Sequence, residues 1–154
     1  MSDPGMRRTG WFDLAVPFVI VGVTAYVLLR YSYDSLPTLH YLVPLPLAAL
    51  AVVEFVVARR VRAAVRHDPD ARPMEAIGIA RCVALGKASS LVAAAVAGAA
   101  AGLIGRLLPD VGTITAADHD AQVGGLLFAA SVLLVVAGLL LERAGIDPGS
   151  DQQR

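Results

Sequence analysis

Four apolar stretches, at residues 11–29, 42–58, 82–105 and 123–141, constrain this chain more than any other feature. Each is about as long as a helix needs to cross the hydrocarbon of a bilayer, roughly 20 residues. A backbone in hydrocarbon must pair all its own N–H and C=O groups, so such runs cross as helices. With 154 residues, 56% of them hydrophobic and 17% charged, the chain has room for one domain and is too apolar for an ordinary soluble one. The expected fold is all-α: a membrane bundle of four transmembrane helices over residues 11–143. Residues 1–10 form a short N-terminal segment before it, and residues 144–154, rich in Asp, Gly, Ser and Gln, form a disordered tail.

The charges balance to zero overall, so their placement matters more than their sum. Arg7, Arg8, Arg59, Arg60, Arg62, Arg66, Arg72, Arg81, Arg143 and Arg154 fall on one side of the expected spans, against Arg30 and Arg106 on the other. The positive-inside rule then places both termini and the 59–72 connection in the cytoplasm, in a multi-pass protein of the cell membrane. The first run follows Arg7 and Arg8 as a signal peptide would. Its length and the lack of a small-residue cleavage site favour a retained helix. Pro17 lies inside that run, whereas Pro44 and Pro46 fall in the opening turn of the second, where a missing N–H is harmless. Tyr31, Tyr33 and Tyr41 flank the outer connection and suit a membrane interface.

The arginines of the inner connection abut a membrane span and lack aromatic interleaving. Arg59, Arg60, Arg62 and Arg66 are therefore read as contacts to anionic lipid headgroups, and nucleic acid is not expected as a partner. Cys82 is the single cysteine, which excludes an internal disulfide and leaves a small packing residue. Asp118-His119-Asp120 follows Thr115 at a helix start, where acids favour the positive end of the dipole; three adjacent residues diverge on a helix, so no metal is expected. No cofactor is expected either.

In the third run Ser90, Ala94, Gly98 and Gly102 recur at four-residue spacing, and Gly98-Ala-Ala-Ala-Gly102 is a small-residue packing motif. The spacing fixes close helix contact but leaves open whether the partner helix belongs to this chain or another. Glu54 and Lys87 each lie roughly 7 to 9 Å inside the inner end of their helix, at matching depth. An ion pair between them follows if the second and third helices are antiparallel neighbours. Ionisable groups in a membrane cost about 2.5 to 3.5 kcal/mol each on the insertion scale, so partners are expected. Asp13, Glu54, Arg81, Lys87 and Glu142 are accordingly placed in one polar cluster at the inner end. It is either polar glue fixing the helix pairing or a proton, ion or anion site.

Four segments, Arg8-Thr-Gly-Trp11, Val53 to Arg62, Ala80-Arg-Cys-Val-Ala-Leu-Gly-Lys-Ala-Ser89 and Gly138-Leu-Leu-Leu-Glu-Arg143, together resemble an actinobacterial family of four-helix membrane proteins grouped as a domain of unknown function. The resemblance runs from about Arg7 to Asp147 and rests most on Glu54, Arg81, Lys87, Ala88 and Ser89. It implies the four-helix membrane fold and no activity. Many members have a cysteine pair where this chain has Ala144-Gly145, which argues against a redox role.

No nucleotide motif, metal cluster or nucleophile with a base accompanies these features. The expected function is a non-enzymatic interaction or assembly partner in the membrane, with anionic lipids and either another membrane protein or a second copy as partners. The alternative is a small dimeric, ion-coupled carrier using Glu54 or Lys87. A membrane-embedded enzyme acting on lipids is the third possibility.

Overall fold

A computed structural model describes residues 9–32, 39–66 and 74–145. Four helices make up these residues: α1 Trp11–Ser32, α2 Leu45–Val65, α3 Ala76–Leu107 and α4 Thr115–Ala144, with a 3-10 turn at Leu108–Asp110. Each runs past the apolar stretch that marks it. Helix α3 has 32 residues and α4 has 30, about 48 and 45 Å at the usual rise.

Local chemistry sets the ends. Gly10 precedes α1, and the Asp13 carboxylate accepts its backbone N–H at 2.8 Å, using an otherwise orphaned donor at the helix start. Pro44 is the N-cap of α2, preceded by a turn in which Val43 N–H donates to His40 O at 3.0 Å. Pro109 and Gly112, at φ 82°, turn the chain after α3. Asp118 Oδ1 accepts the Gly112 N–H at 2.8 Å, which folds that turn back on the first turn of α4.

The helices lie in the spatial order α1, α3, α4, α2. Helix α1 packs on α3, α3 on α4 and α4 on α2, while α2 barely touches α3. The expectation that the second and third helices are packed neighbours is therefore corrected. Glycine positions explain the order. A Cβ on Gly98 would collide with the Phe18 carbonyl of α1, and one on Gly102 with the Gly22 carbonyl, so α1 sits against the glycine stripe of α3. A Cβ on Gly86 would lie 2.6 Å from the Gly138 carbonyl, and one on Gly138 2.7 Å from the Gly86 carbonyl, so α4 takes the other side of α3. With both approaches occupied, α2 seats Ala51 near Leu134 and Ala137, and Ala58 near Leu141 and Ala144, on α4.

These contacts also fix directions. Positions 18, 22 and 26 of α1 meet 98, 102 and 105 of α3 in the same order, so those two helices are parallel. Helices α2 and α4 are likewise parallel, and α3 and α4 are antiparallel. The start of α1, the end of α2, the start of α3 and the end of α4 thus share one end of the molecule.

The interior is rich in small residues, with Val61, Val83, Leu103, Leu107, Val123, Leu134 and Leu141 as its larger buried side chains. Ala51, Ala58, Ala93, Ala94, Ala97, Ala100, Ala117, Ala130 and Ala137 are buried, while Trp11, Phe12, Ile20, Leu28, Val52, Val92 and Leu133 are exposed. So many large apolar side chains outside, over helix contacts made largely by alanine and glycine, are unlike the surface of a water-soluble protein. By length and composition three helices, α1, α3 and α4, are able to cross a membrane. Helix α2 is the exception to the expected four, because Glu54, Arg59, Arg60 and Arg62 fall within its 21 residues.

Candidate functional site

The shared end collects most of the polar side chains that the sequence singles out, but not as one cluster. Each goes where its helix face points. Asp13 is exposed and caps α1. Asp13 and Lys87 line a groove between α1 and α3, together with Phe12, Pro17 and Leu91. Arg81 is exposed, one turn below Leu85 on α3.

Glu142 is buried near the end of α4, and its Oε1 accepts the backbone N–H of Thr9 at 2.8 Å. This bond ties Thr9, two residues before α1, to the last turn of α4. Its other oxygen, and the Thr9 hydroxyl, are buried without a hydrogen-bond partner among the described residues.

Glu54 is 1% exposed, and neither carboxylate oxygen has a hydrogen-bond partner among the described residues. Glu54 therefore makes no hydrogen bond to Lys87, the residue with which an ion pair is expected. Equal depth is not enough: α2 lies on the α4 side of α3, whereas the groove at Lys87 is on the α1 side. Glu54 instead comes close to Ser89 of α3, across the crossing where Gly86 and Gly138 thin the α3–α4 wall. The Ser89 hydroxyl donates to Gly86 O at 3.2 Å, Ser90 to Lys87 O at 2.9 Å and Ser131 to Leu127 O at 2.8 Å. These hydroxyls complete their own helices, as serines in apolar helices commonly do.

The packing series Ser90, Ala94, Gly98 and Gly102 is buried throughout. Its glycines meet α1 of the same chain, which answers the question that spacing left open.

At the α2–α4 edge of the same end lies a groove of about 440 Å³. Arg59 and Arg62 of α2 and its C-cap Arg66 line it with Arg143 of α4, over Phe55, Val65 and Leu140. The Arg59 guanidinium carbon sits 4.7 Å from the centre of the Phe55 ring. Arg60, expected beside the others, is exposed but not in this groove. One residue along a helix is a turn of about 100°, whereas positions 55, 59, 62 and 66 fall on one stripe. Arg143 was missed because its place here depends on α2 lying parallel to α4, which no local pattern reveals.

At the opposite end Asp120 accepts the Leu39 N–H at 2.9 Å, and His119 stacks edge-on to Tyr41 with ring centres 4.6 Å apart. Asp118 and Asp120 therefore serve two different connections, the α3–α4 turn and the approach to α2. Arg7, Arg8, Tyr33, Arg72 and the 146–154 tail lie outside the described residues, as do the expectations attached to them.

The model of the family described as "Protein of unknown function (DUF3180)" matches residues 14–148. No curated protein matches the chain, and no solved structure does.

Proposed function

The chain belongs to the DUF3180 family of unknown function, and from that premise we propose that it is a multi-pass protein of the cell membrane, with both termini in the cytoplasm, that acts without catalysis as an interaction or assembly partner. The observation that carries this reading is the distribution of residue size. Alanine and glycine fill most of the helix contacts, with Val61, Val83, Leu103, Leu107, Val123, Leu134 and Leu141 buried among them, while many of the other Val, Leu, Ile and aromatic side chains point outwards. In water such a surface would associate; in lipid it is the natural exterior, and small residues are what bring helices together there.

Helix α2 crosses with the others on this reading. Its apolar half ends at Ala58, and the long stems of Arg59, Arg60 and Arg62 carry their charges out to the inner interface. The up-down-up-down order of helix directions then puts the start of α1 and the end of α4 on one side, in keeping with the arginine count.

The function is tested by crosslinking the full chain in its native membrane, with the bundle's own exposed positions as attachment points. Reproducible capture of the same membrane protein, or of a second copy, from α1 or α4 positions is expected. Crosslinks to lipid alone across all exposed faces would remove the assembly role.

The buried Glu54 carboxyl, near Ser89 and with no hydrogen-bond partner within geometric limits among the described residues, favours a second reading, a small ion-coupled carrier acting as a dimer. It requires proton- or ion-dependent flux in vesicles that Glu54→Gln abolishes. Equal flux from parent and variant would eliminate it.

A further inference from the structure

We propose that the four-arginine groove between α2 and α4 is a specific binding site for an anionic phospholipid, whose phosphate is held by Arg59, Arg62, Arg66 and Arg143. The proposal rests on the membrane reading above and adds a ligand to it.

Charge is the first argument. Four arginines from the two helices and the cap of α2 line one groove, and among the described residues no acid lines it and none of the four pairs with a carboxylate. Like charges so placed repel one another unless an anion joins them, and guanidinium forks suit phosphate oxygens better than any other side chain does. Arg59 to Arg66 covers two turns, roughly 10 Å, long enough to follow a headgroup rather than a single ion.

Continuity with the apolar exterior identifies the anion as a lipid. The stripe that carries Arg59, Arg62 and Arg66 passes through Phe55 and on to exposed Val52. On α4 the stripe of Arg143 and Leu140 continues to exposed Val136 and Leu133. A ligand phosphate among the arginines would therefore have acyl chains lying along these apolar side chains, in the direction of the membrane interior. A soluble phosphate or an acidic peptide would leave that half of the surface unused. The packed pair Arg59 and Phe55 holds one guanidinium at the boundary between the two halves.

The full chain in neutral detergent is titrated with fluorescent phosphatidylglycerol, and separately with the phosphatidylcholine analogue. Binding of the first and not the second is expected. R62Q/R143Q, which takes one arginine from each wall, should weaken it about thirty-fold. R59Q/R66Q should act in the same direction, while R60Q, outside the groove, stays close to the parent. Circular dichroism melts confirm that the variants remain folded, as their exposed positions lead one to expect.

Equal affinity for both lipids, or equal losses from R60Q and R62Q/R143Q, overturns the proposal. Competition by soluble glycerophosphoglycerol as effective as by the intact lipid would identify an anion site without lipid selectivity, and so overturn it too. A groove filled by the chain's own Asp68, Asp70, Asp147 or Asp151 would show as no binding until those acids are changed to Asn, a third contrary outcome. Loss of membrane insertion would sink this proposal together with the membrane reading. Failed binding by an inserted protein sinks this one alone.

Discussion

Gly86→Ala and Gly125→Ala are the same substitution in two neighbouring helices, and the packing gives them opposite signs. The new Cβ at position 86 would lie 2.6 Å from the Gly138 carbonyl oxygen, 3.0 Å from the Glu142 nitrogen and 3.0 Å from Leu141 Cβ. Ordinary contact begins at 3.4 Å, so the shortest approach is deficient by about 0.8 Å. None of the three neighbours is the end of a flexible side chain, so the helices themselves must separate. That places the substitution toward the costly end of overpacking, about 3 kcal/mol. Alanine's preference for a helix offsets about 1 kcal/mol of it, leaving a net loss of about 2 kcal/mol. At position 125 a Cβ meets nothing within 4 Å, so only the helix preference remains and stability rises by up to about 1 kcal/mol. Unfolding of the purified protein in mixed micelles with increasing denaturing detergent, followed by circular dichroism, measures both. Equal midpoints for the two variants, or a more stable Gly86→Ala, would refute the claim that backbone contact at this crossing holds α3 to α4.

Two further substitutions probe the buried acids at the shared end. Glu54→Met replaces a carboxyl that has no hydrogen-bond partner among the described residues with an apolar chain of similar length, and should stabilise the fold by about 1 to 3 kcal/mol in the same assay; a destabilised variant would show that Glu54 acts as polar glue after all. Glu142→Ala removes the acceptor of the Thr9 N–H, so that amide should exchange with deuterium at least roughly tenfold faster while amides in the middle of α3 are unchanged. Unaltered exchange at Thr9 would mean that the bond does not anchor the start of α1.

Much of the fold is legible in local pattern, because each helix announces itself by an apolar run and by its ends. Trp11 opens α1 as its apolar run does, and Pro44 and Pro46 mark the start of α2 as proline chemistry requires. The Gly98–Gly102 spacing correctly announces a close contact. Which helix makes that contact is a property of the whole set. Sequence adjacency suggests α2 for a neighbour of α3, but α1 and α4 both reach α3 through glycine gaps and leave α2 only the outside of α4. The same exclusion explains Glu54 and Lys87, which match in depth and differ in the side of α3 they belong to. It also explains the arginine groove: three of its members are visible as a helical stripe on α2, while Arg143 joins only once α4 is laid beside them.

The proposed four-span membrane topology, with the start of α1 and the end of α4 on one side, is tested by labelling single cysteines in intact cells with a membrane-impermeant maleimide, in a Cys82→Ala background. His40→Cys precedes α2, Thr113→Cys lies in the α3–α4 turn, and Glu75→Cys caps the start of α3; all three parent residues are exposed. Labelling of positions 40 and 113 from outside is expected, and of position 75 only after the membrane is permeabilised. Labelling of all three from outside, or of 75 together with either of the others, would contradict that topology.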